Sequence, residues 1–284
     1  MRSKALNVAD MTVEAAAPAG RDRLGPLIIT IFGLYARGEH NWLSVASVVQ
    51  LMADLGVEGQ AARSSISRLK RRGVVRAERR DGAGYALAET TLETLAEGDT
   101  RIFERRRATA EDGWLVVVFS VPESEREKRH ALRTSLTQLG FGTTAPGVWV
   151  APGNLATETR RTLERRGLSE YVDIFSGHHF AFGDLRSKVR AWWDLDELTD
   201  LYADFLRRHR PVLDAGVLSP EQAFQTYVPM LTAWRRLPYS DPGLPLSLLP
   251  PGWNGVTAEA LFEQLNTTLS APAREHALAV IHGR

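Results

Sequence analysis

The chain has 284 residues, enough for two or three domains at a soft prior of about 150 residues each. Its 44% apolar and 24% charged residues match a globular protein and exclude a largely disordered or fibrous one. The absence of cysteine excludes disulfides, thiolate metal sites, iron–sulfur clusters and cysteine nucleophiles, and fits a cytoplasmic location. The net charge of +1 is uninformative by itself, because a basic patch can be offset by acids elsewhere.

Residues 1–22 carry Asp10 and Glu14 within their most apolar part, so they read as a disordered, Ala-rich tail rather than a secretory signal. The longest uncharged apolar stretch, Leu24 to Ala36, has 13 residues, short of the roughly 20 that cross a membrane. No membrane contact is expected.

From Arg23 to Ala88 the pattern is that of a winged helix-turn-helix, within a DNA-binding domain spanning 23–100. Leu24 to Tyr35 and Ser44 to Leu55 read as two helices, the second capped by Ser44 and ended by Gly56. A third helix starts near Gly59, although Glu58 is a less favoured cap than Ser or Asn, and Gly73 ends it. Ala62, Ile66 and Leu69 repeat at helical spacing and face inward, leaving Arg63, Ser64, Ser67, Arg68 and Arg71 outward. Short Ser side chains permit close approach to a groove, and Arg can bond guanine bidentately or clamp phosphate. Val74–Ala77 and Gly84–Leu87 form a hairpin whose tip, with its Asp81-Gly82 turn signal, carries Arg79 and Arg80. Between Glu58 and Arg80 eight cations face two acids, a local +6 in a chain whose remainder is −5.

Residues 110–183 give the order βαββαβ of a ferredoxin-like domain. The strand Trp114–Val121 is followed by a helix over Glu123–Leu139, strands at Phe141–Thr144 and Gly147–Ala151, a helix over Leu155–Arg166, and a strand at Tyr171–Phe175. The remainder, 184–284, reads as a mainly helical domain for dimerisation and effector binding. It should hold one long amphipathic helix between Leu185 and Leu213, another over Ser219–Leu237 with Pro229 ending or kinking it, and a last one from Thr257 to Leu269. The Pro- and Gly-rich run Leu237–Gly255 is also rich in Leu, which suggests a packed loop. The fold class is thus α+β and multidomain.

These stretches resemble the PaaX family of transcriptional regulators over nearly the whole chain. The resemblance rests on Ile29-Thr-Ile-Phe-Gly-Leu-Tyr35, Ala61-Ala-Arg-Ser-Ser-Ile-Ser-Arg-Leu69 and Gly147-Val-Trp-Val-Ala-Pro152, and most distinctively on Trp234-Arg-Arg-Leu-Pro-Tyr-Ser-Asp-Pro-Gly-Leu-Pro-Leu-Ser-Leu-Leu-Pro250. It implies a homodimer that binds a partly palindromic, double-stranded operator as a repressor, with an aryl-CoA thioester as the effector that releases it. It also implies that the central domain is similar to small CRISPR-associated nucleases, which place a metal-binding acid at the end of the first strand. Here Phe119-Ser-Val-Pro-Glu-Ser124 offers Ser120 at that point and Glu123 only at the helix start. The reading is therefore no enzyme, no metal and no cofactor, with a metal-dependent nucleic-acid hydrolase as the alternative.

Two further groups merit weighing. His178-His179 is the only paired histidine, but neighbours in a strand point to opposite faces and no third ligand is apparent. Trp192, Trp193, Tyr202, Trp234 and Tyr239 are candidates to line a pocket for an aromatic acyl group, while large aromatics at such spacing also serve as core. Neither a glycine-rich phosphate loop nor a hydrolase elbow occurs.

Overall fold

The computed structural model describes residues 24–180 and 182–283, so the tail expected over 1–22, and Arg23, lie outside the described residues. The chain is mixed α and β, with two antiparallel sheets. It forms two compact units that do not follow the chain in order. The first takes the residues up to Phe103 together with Asp204–Arg236 and those from Thr257 on, and the second takes Glu104–Ala203 and Leu237–Val256. The sequence suggests boundaries between 100 and 110 and at 183/184; in the structure the residues from Asp184 on are shared between the two units.

The first unit opens with helix α1 (Leu24–Ile31), which widens into a π-helical turn over Phe32–Ala36. A short strand β1 (Trp42–Ser44) leads into α2 (Val45–Asp54), where the Ser44 hydroxyl accepts from the Ser47 N–H at 2.9 Å, the N-cap its position suggests. Gly56 (φ 76°) then allows the Gly56 N–H to reach Ala53 O and the Val57 N–H to reach Met52 O. These two bonds close a Schellman turn that only a left-handed residue permits. Helix α3 (Gly59–Arg71) ends in the same way at Gly73. Ala62, Ile66 and Leu69 are buried in it, as their spacing demands.

Strands β2 (Val75–Arg79) and β3 (Ala83–Leu87) form the hairpin, and the sheet order is β1-β3-β2. β2 runs two residues and β3 one residue further into the expected loop, because Arg79 pairs with Ala83 and the turn is only Arg80-Asp81-Gly82. β1 was not apparent in the sequence. Its three residues are extended because they pair with β3, at Trp42 opposite Ala86 and Ser44 opposite Gly84. The unit continues through α4 (Glu89–Phe103).

In the second unit β4 (Trp114–Phe119), α5 (Arg126–Gln138), β5 (Gly142–Ala145), β6 (Val148–Pro152), α6 (Ala156–Arg165) and β7 (Val172–Gly177) follow in order. Their sheet, wholly antiparallel, is ordered β5-β6-β4-β7. Alternate residues of β4, Leu115 and Val117, bury against Leu136 of α5, against Leu139 just past its end, and against Phe141, Trp149 and Ala151. A second cluster joins Val121, Leu132, Leu163 and Leu168.

The long helix expected between Leu185 and Leu213 is two helices, α7 (Leu185–Trp192) and α8 (Leu195–His209), with a 3-10 turn after them. The break falls at Trp193, whose backbone is extended while its indole donates to Gly140 O at 2.9 Å. Asp194 restarts the helix by accepting from the Glu197 N–H at 2.9 Å. Helix α9 (Pro220–Trp234) has the expected Ser219 cap, reinforced by Gln222, and continues through Pro229. Next come a single turn, α10 (Leu237–Ser240), and the packed run that follows it, where Leu244 and Asp241 are buried. The last helix, α11 (Gly255–His282), runs 13 residues beyond Leu269 and through Pro272.

Tertiary contacts explain that extension. Ala273 and Ala277 are fully buried, His276 Nε2 lies 2.9 Å from Asp54 Oδ2 on α2, and His282 Nε2 lies 2.9 Å from Glu39 Oε2. α9 braces the N-terminal helices in the same unit. Thr232 and Thr30 hydroxyls are 2.8 Å apart, and the Arg235 guanidinium donates to Pro26 O at 3.3 Å.

Candidate nucleic-acid interface

The outer face of α3 is where the sequence places it. Arg63, Ser64, Ser67 and Arg71 are exposed, and Arg68 is half-buried on the same side. Glu58 makes no side-chain cap bond at the helix start. Arg68, Lys70 and Arg71 occupy the last turn, where cations also complement the negative end of the helix dipole. The face therefore presents long cations around two short hydroxyls, without a bulky side chain between them to hold a duplex groove away.

Within the hairpin the two arginines differ. Arg79 is exposed at the last strand pair. Arg80 is held by its own module: its Nε donates to Glu78 Oε1 at 2.6 Å, its Nη2 donates to His40 O at 3.1 Å, and its guanidinium sits 5.8 Å from the Trp42 ring centre. The Arg80 hydrogen bond, aided by Arg76 at 2.6 Å, holds the Glu78 carboxyl below the usual carboxylate range. The Trp42 indole in turn donates to Glu78 O at 3.0 Å.

Sequence reasoning missed this brace, since Trp42, His40 and Glu78 meet only through β1–β3 pairing. Gly84 is what admits it. A Cβ there would fall 2.3 Å from the Trp42 ring. Gly84→Ala is accordingly expected to destabilise the hairpin by about 1–3 kcal/mol through overpacking, visible as a lowered Tm and a changed Trp42 fluorescence.

The aromatic candidates are dispersed. Trp192 meets Trp114 edge-on with ring centres 6.0 Å apart, and Trp193 meets it at a tilt with ring centres 6.2 Å apart. Tyr202 is buried, its hydroxyl donating to Asp241 Oδ2 at 2.7 Å, and its ring meets Trp253 edge-on at 5.8 Å. Trp234 belongs to the first unit, stacked on Phe262 at 4.5 Å. Tyr239 is half-buried on α10. His178 and His179 are exposed just past β7, and Glu123 pairs with Arg129 at 3.0 Å. Among the described residues no group of three or more His, Asp or Glu gathers as for a metal ion, and no helix is long and apolar enough to cross a membrane.

Asp241 organises a centre that the sequence did not flag. It is buried in the distinctive Pro-rich run, 3.0 Å from Arg105 Nη2 and 3.2 Å from Arg107 Nη2, and it accepts from Tyr202 Oη and from the Gly243 N–H. Burial alone would push its carboxyl up, but the two guanidiniums outweigh that and hold it well below the usual range.

Three family models match the chain in sequence. A PaaX-like protein model covers residues 23–91, the PaaX protein central Cas2-like domain covers 107–189, and the PaaX-like protein C-terminal domain covers 193–279. The chain belongs to the PaaX family. A curated relative, the transcriptional repressor PaaX of Escherichia coli (strain K12), is 28% identical over 251 residues, spanning 83% of this chain and 77% of its own length. A solved structure, the uncharacterized protein Rv0674 from Mycobacterium tuberculosis, shares the fold with a TM-score of 0.53 and 22% identity over 95% of this chain and 97% of that one. The basic face of α3 and the hairpin lie wholly within the first of the three PaaX matches.

Proposed function

We propose that this PaaX-family chain is a transcriptional repressor that binds double-stranded operator DNA as a homodimer, and that a small aromatic acyl thioester such as an aryl-CoA releases it. The observation that carries the reading is the surface of the first unit: α2, a tight turn and α3 with an Arg/Ser outer face, followed by a basic hairpin. Helix, turn, helix and wing in that order support a winged helix-turn-helix, with α3 in the major groove and Arg79 beside it. The order β5-β6-β4-β7 supports a ferredoxin-like central domain. The repressor function of the Escherichia coli relative supports the biological output. Of the five aromatic candidates for the effector, half-buried Trp192 and Tyr239 are those a ligand reaches without unpacking a core.

A footprint across DNA upstream of the chain's own coding region, repeated over a salt series, tests this. A protected, partly palindromic site is expected, with affinity falling steeply as salt rises because each neutralised phosphate releases counterions. Absence of protection, or binding indifferent to salt, would refute it. Phenylacetyl-CoA serves as the effector probe. A rise in Tm together with loss of the protected site is expected, since a ligand preferring the native state raises its stability.

A further inference from the structure

Between the π-helical turn Phe32–Ala36 and β1 the chain passes through two successive residues in the left-handed region, His40 (φ 54°) and Asn41 (φ 61°). Asn and His take that conformation more readily than most side chains, yet two in succession persist only where the surroundings fix them. Here they are fixed on both sides. The Asn41 N–H donates to Ala36 O at 2.8 Å and the Leu87 N–H of β3 donates to Asn41 O at 3.1 Å, while His40 O accepts from the Arg80 guanidinium of the hairpin at 3.1 Å. This turn is the base on which the hairpin stands.

The last turns of α11 hold the same module at two points. His282 Nε2 lies 2.9 Å from Glu39 Oε2, within that turn. His276 Nε2 lies 2.9 Å from Asp54 Oδ2, on the last residue of α2, from which the Gly56 turn leads into α3. An ionised carboxylate only accepts, so each imidazole donates through Nε2. The other Asp54 oxygen accepts from Gln50 Nε2 at 2.8 Å, and the His276 ring lies 5.2 Å from the Phe224 ring of α9, so both members of this pair are held in place. The two histidines stand about 9 Å apart along the helix axis. One helix therefore spans the root of α3 and the root of the hairpin, the elements that present Arg63, Arg68 and Arg79.

We propose that His276 and His282 are positioning residues for DNA binding: through Asp54 and Glu39 they set the angle between α3 and the hairpin, so that both engage one duplex at once. The proposal rests on the DNA-binding reading above and adds what keeps its two contact surfaces in register. Contacts made by a helix and by a wing reinforce each other only when both are presented together, as for two binding modules joined by a stiff link. Without the two pairs both surfaces stay folded but sample other relative placements, and the apparent affinity falls with the fraction of molecules still aligned. The DNA-reading module is thus completed by a helix whose histidines lie 222 and 243 residues from their acids in the chain.

The lack of cysteine makes the test direct. Spin labels at Gln60→Cys on α3 and Asp81→Cys at the hairpin tip, both exposed, report the distance between the two elements in the free, full-length protein by double electron–electron resonance. A single narrow distribution is expected with both histidines present, and a broadened or shifted one with His276→Ala and His282→Ala together. Cognate affinity of the unlabelled variants is expected to fall about tenfold for His276→Ala, whose pair is 17% and 11% exposed, and about threefold for His282→Ala, whose pair is 38% and 24% exposed and so more screened. Glutamine places an amide N–H where Nε2 stood, so His276→Gln and His282→Gln should restore most of both readouts, which a role confined to packing would not produce. Asp54→Asn added to His276→Ala should cost no more than His276→Ala alone, since the two act as one pair. Should the double alanine variant fail to fold by circular dichroism, His282→Ala at the end of α11 carries the same two readouts. An unchanged distance distribution, an affinity lost without a change in distance, or glutamine variants as weak as the alanine ones overturns the proposal. If wild type protects no DNA the repressor reading fails instead, while the distances, measured without DNA, stand on their own.

Discussion

Asp241→Ala is expected to lower the free energy of unfolding by about 3–5 kcal/mol, the range for removing one partner of a buried charge cluster. The carboxylate is 1% exposed, with the Arg105 and Arg107 side chains at 14% and 16%, and it also accepts from Tyr202 and from the Gly243 N–H. Its loss takes the carboxylate from two guanidiniums, one phenol and one backbone donor, leaving Arg105 and Arg107 their bonds to the carbonyls of residues 241 and 244. Asp241→Asn should cost nearly as much, because the amide keeps the shape but not the charge. If uncompensated charge is the cause, replacing the cluster together, with Arg105→Met, Arg107→Met and Asp241→Leu, should recover much of the loss. Urea unfolding followed by circular dichroism measures all three, and a triple variant as unstable as Asp241→Ala would show that the cost lies in packing instead. The pH dependence has a definite sign. A carboxyl held below its unfolded value contributes stability throughout the range above about pH 4, and that contribution is lost as the pH falls further. Asp241→Ala should therefore lose less stability than wild type on acidification from pH 5 to pH 2.

Elements whose cause is local were legible in the sequence. Gly56 and Gly73 end their helices because no other residue takes a left-handed turn at so little cost, and Ala62, Ile66 and Leu69 fix the inner face of α3 by spacing alone. Elements whose cause is distant were not. β1 is a strand only because β3 lies alongside it, and α11 continues past Leu269 because His276 and His282 find acids more than two hundred residues away in the chain. The split between α7 and α8 had a signal, Asp194 three residues before Glu197, hidden by a continuous apolar stripe. Likewise the Pro-rich run could be read as packed from its leucines, but not that Asp241 within it gathers Arg105 and Arg107. For the interface, the residue types were legible, while the difference between Arg79 and Arg80 depended on Trp42 and His40 and so on the fold.

That difference shapes the second large effect. Arg63→Ala is expected to weaken operator binding by about 1–3 kcal/mol, roughly 5- to 150-fold, if its exposed guanidinium makes a bidentate base contact. The loss should be confined to the cognate site, with discrimination relaxed at one base pair and little change in Tm. Arg68→Ala should cause a comparable loss of affinity, but because Arg68 is half-buried it should also lower Tm, which separates its two roles. Arg79→Ala, at the exposed hairpin tip, should weaken specific and non-specific binding alike and reduce the slope of log K against log salt by about one, as expected for a phosphate contact. Arg80 is already engaged by Glu78, His40 and Trp42, so Arg80→Ala should act through the hairpin: a lowered Tm together with weaker binding, and a salt slope changed less than in Arg79→Ala. Fluorescence anisotropy with cognate and scrambled duplexes at several salt concentrations resolves these four patterns. Unchanged cognate affinity in both Arg63→Ala and Arg68→Ala would place the DNA on another face of the first unit.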